Sequence, residues 1–179
     1  MIESIIKNLI FDKNDAVGWS KDQRTAGMYA VSNMLGSMSY LYGDRMIFND
    51  EGKIVSEPKT SLFGIVPDRP DHAHPFMWDE GFHQHLVSVW DLDLTYQIIT
   101  SWFNQTEQDS GWIAREQMLG RESRWPAPPS SWPQIKGTAN PPSQHLLLDT
   151  LLNRFQSGAY SNDKYTHFVE FLEGIYDNF

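Results

Sequence analysis

Residues 79–103, Asp-Glu-Gly-Phe-His-Gln-His-Leu-Val-Ser-Val-Trp-Asp-Leu-Asp-Leu-Thr-Tyr-Gln-Ile-Ile-Thr-Ser-Trp-Phe, read as two helices in succession. Phe82, Leu86, Val89 and Trp90 recur at four-, three- and one-residue steps and predict one apolar helical face, on a helix beginning near Asp79. Asp91-Leu92-Asp93 supplies a stop and a fresh N-cap, after which Leu94, Ile98, Ile99, Trp102 and Phe103 carry a second helix. The same spacing extends outward. Between Asp22 and Gly43, Val31, Met34, Leu35, Met38, Leu41 and Tyr42 predict one buried helical face, and Ser32, Gly36, Ser37 and Ser39 on its other side would permit a close helix–helix approach. Two further helices are predicted at Ser143–Phe155 and Lys164–Asp177, the latter striped by Tyr165, Phe168, Val169, Leu172, Ile175 and Tyr176. At the start of the chain Ile2, Ile5, Ile6, Leu9 and Ile10 give an amphipathic helix pattern, interrupted by Glu3 and Lys7.

Between these segments, Gly43-Asp44, Asn49–Gly52 and Pro58 through Pro75 predict loop, and no alternating strand of convincing length is visible. Residues 111–142 hold Trp112, Trp125, Trp132 and many prolines with little periodicity, which predicts a long ordered loop that is functional rather than merely connecting. The expected class is therefore all-α: helices paired by aromatic-rich loops, as in a toroid. Five or six helices are about half of what a closed double ring requires, so the chain reads as part of one.

Composition excludes several functions. The 179 residues carry 14 Lys+Arg against 23 Asp+Glu, a net charge of −9, and no basic stripe, which disfavours nucleic acid and anionic membrane as partners. There is no cysteine, hence no disulfide, thiolate metal site or cysteine nucleophile. No apolar run has the length of a signal peptide core or a membrane span. Neither a phosphate-binding glycine loop nor a Gly-x-Ser-x-Gly elbow occurs.

Two stretches carry candidate chemistry. In Phe76-Met77-Trp78-Asp79-Glu80, two carboxylates sit beside aromatic rings at a loop-to-helix junction, where desolvation would raise a carboxyl pKa and suit it to general-acid work. Asp79 could equally cap the helix, with Glu80 in its first turn. In Gly111-Trp112-Ile113-Ala114-Arg115-Glu116-Gln117, a ring, a guanidinium, a carboxylate and an amide fall within six positions, the kit that stacks on a pyranose and pairs with its hydroxyls. An internal ion pair that pins the loop uses the same residues. His72/His74 and His83/His85 resemble metal pairs, but two positions apart on a helix face about 200° around the axis. No closed set of four ligands is visible, so neither a metal nor any other cofactor is expected. His83 is expected to be a packed helix residue.

At these residues the chain resembles glycoside hydrolase family 63, in its branch of processing α-glucosidases. The matching blocks, in order, are Met28–Gly43, Ser61–Phe63 with Val66-Pro67, Phe76–Gln84, Trp90-Asp91, Gly111–Gly120, Glu122, Arg124 and Ala139–Pro142. The resemblance implies that residues 1–179 are an N-terminal portion of an (α/α)6 catalytic domain, with 111–142 as its substrate-loop region. It further implies an inverting mechanism that removes a terminal α-1,2-linked glucose from an N-glycan precursor, an oligosaccharide substrate. Asp79 matches the family's general acid, and Trp78, Trp112, Arg115 and Glu116 fall on positions expected to line the glucose pocket. An inverting pair also needs a base about 6.5–9.5 Å from the acid, and the family's base lies far downstream, in the second half of the barrel. This chain is therefore expected to be a fragment, inactive alone, that needs the missing half as partner. Ser130 and Ser131 stand where the family pattern has Glu-Phe. Eukaryotic members work in the endoplasmic reticulum lumen, although no targeting segment is visible here. Two alternatives remain beside the enzyme: a non-catalytic sugar-binding remnant, and a half-barrel that functions only through a partner chain.

Overall fold

The computed structural model describes residues 20–107, 109–138, 140–141, 143–158 and 161–176. The N-terminal amphipathic pattern at residues 2–10 lies outside them.

Helix α1 (Lys21–Gly36) starts at a capping box: the Gln23 amide N–H donates to Ser20 Oγ at 3.2 Å, while the Ser20 N–H donates to Gln23 Oε1 at 2.8 Å. Val31 is its one buried residue among those described. Gly36 ends the helix, and the segment read as its continuation is strand β1 (Met38–Gly43). β1 pairs antiparallel with β4 (Thr60–Ile65) in the register Met38↔Ile65 to Gly43↔Thr60. Between them β2 (Met46–Phe48) and β3 (Ile54–Ser56) form a hairpin around Asn49–Gly52.

Two expectations are thereby corrected. Met38–Gly43 is strand rather than helix, and Met46–Phe48, Ile54–Ser56 and Thr60–Ile65 are strands within the segment read as loop; Tyr40 and Tyr42 alternate with Ser39 and Leu41 across a pleated ribbon, a two-residue period that a three- and four-residue match absorbs. Among the described residues, Ser32 and Gly36 of α1 are exposed and nothing lies within 4 Å of a Cβ built at Gly36, so they meet no neighbouring helix there. The described residues are thus about half helical with two short ribbons, which is compatible with part of a helical domain.

Helices α2 (Met77–Trp90) and α3 (Leu92–Phe103) meet at Asp91, whose side chain accepts the Leu94 N–H at 2.9 Å, as the sequence predicted. A short α4 (Gly120–Arg124) and a 3-10 turn at Pro129–Ser131 interrupt the long loop. Helices α5 (Ser143–Gln156) and α6 (Asn162–Tyr176) follow within two residues of their predicted bounds.

α3 is the centre of the packing because it buries two faces. Leu92, Tyr96 and Ile99 meet Leu147, Leu151 and Phe155 of α5 and Phe168 of α6. Ile98 and Trp102 meet Leu62 of β4 together with Ile113 and Leu119. The apolar face read on α2 is turned partly outward, with Phe82 at 53% and Val89 at 51% exposure and Leu86 and Trp90 half-buried. Its inner face is polar: Glu80, Gly81, Gln84 and Ser88 are buried along with Val87. The reason is pairing: Glu80 accepts from three donors, Gln84 Nε2–H donates to Glu80, and Ser88 Oγ–H donates to the His85 carbonyl.

Candidate active site

The two chemistry-bearing stretches are brought together by one antiparallel bridge, Phe76↔Glu116. The Met77 N–H donates to the Arg115 carbonyl at 3.0 Å, and the Gln117 N–H donates to the Pro75 carbonyl at 3.0 Å. Extended backbone at Phe76 (φ −108°, ψ 134°) makes it the N-cap position of α2. Asp79 is thus in the first turn and caps nothing, which corrects the helix-cap reading and leaves its carboxyl uncommitted to that task.

Asp79 is half-buried, and burial pushes its carboxyl above the ordinary aspartate range, against the pull of its own N–H and of charge on His72 and Arg115. Trp78 beside it is 37% exposed and meets the Phe82 ring edge-on at 6.3 Å.

Glu80, the adjacent carboxylate, is sealed. Its Oε2 accepts the Ile65 N–H at 2.8 Å and the Trp102 Nε1–H at 3.1 Å, and its Oε1 accepts Gln84 Nε2–H at 2.7 Å. Burial raises its pKa to about 7 in spite of these donors. A Cβ at Gly64 would stand 2.8 Å from Glu80 Oε2, so this close approach needs glycine. Glu80 therefore ties α2 to β4 and α3, which aims its neighbour Asp79. On the other side, Ser143 Oγ–H donates to the Trp78 carbonyl at 2.6 Å and Gln144 Nε2–H to the Met77 carbonyl at 2.7 Å.

On the second stretch, Glu116 is held from both ends of its carboxylate: Arg115 donates to Oε1 at 3.1 Å and His74 Nε2 lies 3.2 Å from Oε2. Burial pushes the Glu116 pKa up, but the hydrogen bond from His74 and the guanidinium of Arg115 outweigh it and hold the group below its ordinary value. Arg115 and Glu116 line a cavity of about 230 Å³ with Phe48, Ser130, Ser131 and Gln134. That is below the roughly 300–1,000 Å³ of pockets for drug-sized ligands and suits one small unit. Among the described residues, Trp78, Asp79 and Trp112 are not part of that lining.

The ring of Trp112 has two cationic neighbours. The Arg45 guanidinium stands 5.5 Å and the Lys136 ammonium 5.9 Å from its ring centroid. Lys136 is in turn paired with Glu107, and Arg45 with Glu57 and with Gln117 Oε1 at 3.1 Å. Arg115 and Glu116, both candidates for sugar contact, also form the ion pair within the loop.

His83 is packed, and burial lowers its pKa to about 4. Among the described residues no group of three or more His, Asp or Glu could hold a metal ion. No helix among them is long and apolar enough to cross a membrane. A larger cavity of about 710 Å³, lined by Thr60, Ser61, Gln97, Thr100 and Gln105 among others, holds none of the candidate residues. Sequence reading missed His74 and Arg45; His74 was weighed only as a metal ligand, and Arg45 falls in a segment read as loop.

Residues 7–179 match the glycosyl hydrolase family 63 C-terminal domain, and the chain belongs to that family. It is 35% identical over 179 residues to the mannosyl-oligosaccharide glucosidase of Saccharomyces cerevisiae, an alignment that takes in 88% of this chain and 22% of that protein. Alpha-glucosidase 2 of Arabidopsis thaliana is 32% identical over 154 residues, 82% of this chain and 19% of its own length. A probable mannosyl-oligosaccharide glucosidase of Schizosaccharomyces pombe is 34% identical over 150 residues, 71% of this chain and 18% of its own. The chain spans about a fifth of the length of the curated relatives it matches.

Proposed function

We propose that this chain forms the acid-bearing part of an inverting α-glucosidase that removes a terminal α-1,2-linked glucose from an N-glycan precursor. One observation carries the reading: Asp79, half-buried and raised in pKa, stands next to exposed Trp78 and within the field of Arg115, while its neighbour Glu80 is fully committed to the fold. In this reading Asp79 gives its proton to the departing glycosidic oxygen. Arg115 and Glu116 hold the hydroxyls of the glucosyl unit, Trp78 and Trp112 supply aromatic faces, and the relatives named as mannosyl-oligosaccharide glucosidases suggest the substrate. The whole catalytic domain would be an (α/α)6 barrel. The water-activating base then belongs to the part of the relatives' length that this chain does not match, and the 179 residues are inactive by themselves. A eukaryotic parent would do this work in the endoplasmic reticulum lumen.

The outward apolar face of α2, with Phe82 and Val89, supports the second half of that reading: a packing partner covers it in the complete domain. The test replaces the matching segment of the yeast relative with these 179 residues and follows an α-1,2-linked glucosyl disaccharide by NMR. Release of β-glucose that falls about 100-fold or more in Asp79→Asn supports the assignment. Retained α-anomer, or turnover within about tenfold of the parent in Asp79→Asn, overturns it.

A further inference from the structure

We propose that His74 is a positioning residue that fixes the carboxylate of Glu116 for hydrogen bonding to a sugar, an inference that rests on the glucosyl-site reading of Arg115 and Glu116. His74 is 2% exposed, and its Nδ1 is buried without a hydrogen-bond partner among the described residues. An ionised carboxylate only accepts, so the contact with Glu116 Oε2 at 3.2 Å requires the ring proton on Nε2. The lone Nδ1 is consistent with that tautomer, because a proton placed there would be buried without an acceptor. The ring is held in plane by Phe76, 4.8 Å between centroids and tilted by 31°, and Phe76 is itself the residue bridged to Glu116.

A carboxylate offers about four lone-pair sites. His74 takes one on Oε2 and Arg115 one on Oε1, so neither oxygen can rotate away and each keeps a site for a ligand hydroxyl. With its side chain 17% exposed, Glu116 reaches the cavity it lines while its orientation is set from the buried side. Arg115, 45% exposed and adjacent in sequence, could not set that orientation alone.

Two measurements decide this separately from the reading it rests on. Imidazole NMR of the 179-residue chain should show His74 as the Nε2–H tautomer, with a proton that exchanges slowly and shifts in Glu116→Gln. A His74 protonated on Nδ1 alone, or an Nε2–H indifferent to Glu116→Gln, overturns the inference whether or not sugar binds. Binding of an α-1,2-linked glucosyl disaccharide, followed by saturation-transfer NMR, should weaken about tenfold or more in His74→Leu and recover to within about threefold in His74→Gln, whose amide keeps a donor. Unchanged affinity in His74→Leu also overturns it, with the sugar site intact. If the unsubstituted chain binds no sugar, the glucosyl-site reading and the positioning role fall together, even where the imidazole signal shows the pair.

Discussion

Phe76 and Glu116, forty positions apart in the chain, face each other across one antiparallel bridge that joins the acid-bearing helix to the carboxylate-bearing loop. Met77 is the first helical residue of α2, where proline is tolerated, and Phe76 before it already has the extended backbone that a following proline demands. Met77→Pro should therefore keep the helix but remove the N–H that reaches the Arg115 carbonyl. Urea denaturation is expected to show a loss of about 1–3 kcal/mol with unchanged far-ultraviolet circular dichroism. Loss of helical signal would mean that α2 depends on Met77 itself.

Glu80 makes stability depend on pH. Its pKa rises from 4.5 to about 7 on folding, mainly through burial, so the native state binds the extra proton. The resulting stability is fully present below pH 4.5 and is lost as pH rises through about 7, by about 3 kcal/mol in all. Gln84 Oε1 has no partner, and turning that amide would let it accept from a protonated Glu80. Glu80→Gln with the same turned amide should flatten this part of the profile between pH 5 and 8, as read by urea midpoints. An unaltered slope would assign the effect to another group.

With Asp79 as the proposed general acid, activity in the assembled enzyme should fall as pH rises through its pKa, because such an acid works only when protonated. Burial moves that limb above the ordinary aspartate range, and charge on His72 pulls it back. His72→Gln should therefore shift the alkaline limb upward, with little change in the plateau. A downward shift in the kcat profile would contradict the assignment of Asp79.

Gly81 and Gly36 should respond in opposite directions to alanine. A Cβ at Gly81 would run into Ser143 where α5 closes on α2, so Gly81→Ala is expected to cost about 1–3 kcal/mol. Gly36 has open space around it and lies in a helix, so Gly36→Ala should add about 0.5–1 kcal/mol. Thermal melts of the two variants check both signs.

The helix boundary at Asp91 was readable because capping chemistry is local: one side chain and one N–H three residues on. The ends of α5 and α6 were readable for a related reason, apolar spacing with no competing period. β1 was not, since Met38, Leu41 and Tyr42 satisfy helical steps as well as a strand, and only pairing with β4, twenty or so residues away, decides between them. The buried polar face of α2 is not legible from apolar spacing, because hydrophobicity locates only apolar contacts. Glu80 is buried through donors on other elements, Ile65 and Trp102, which no local window contains, and Gln84 is bonded to Glu80 one turn further along the helix. The candidate residues of the loop were picked out by type, but the role of His74 depends on a contact 42 positions away.

The clamp from Ser143 onto the Trp78 carbonyl spans 65 positions. A growing chain adds about 5–20 residues per second, so α2 leaves the ribosome roughly 3–13 s before its clamp is made. During that interval Gly81 has no Ser143 to pack against, while the apolar residues of α2 are already in water. This helix is where a chaperone would engage the nascent chain, and slower translation between residues 90 and 143 would lengthen that engagement.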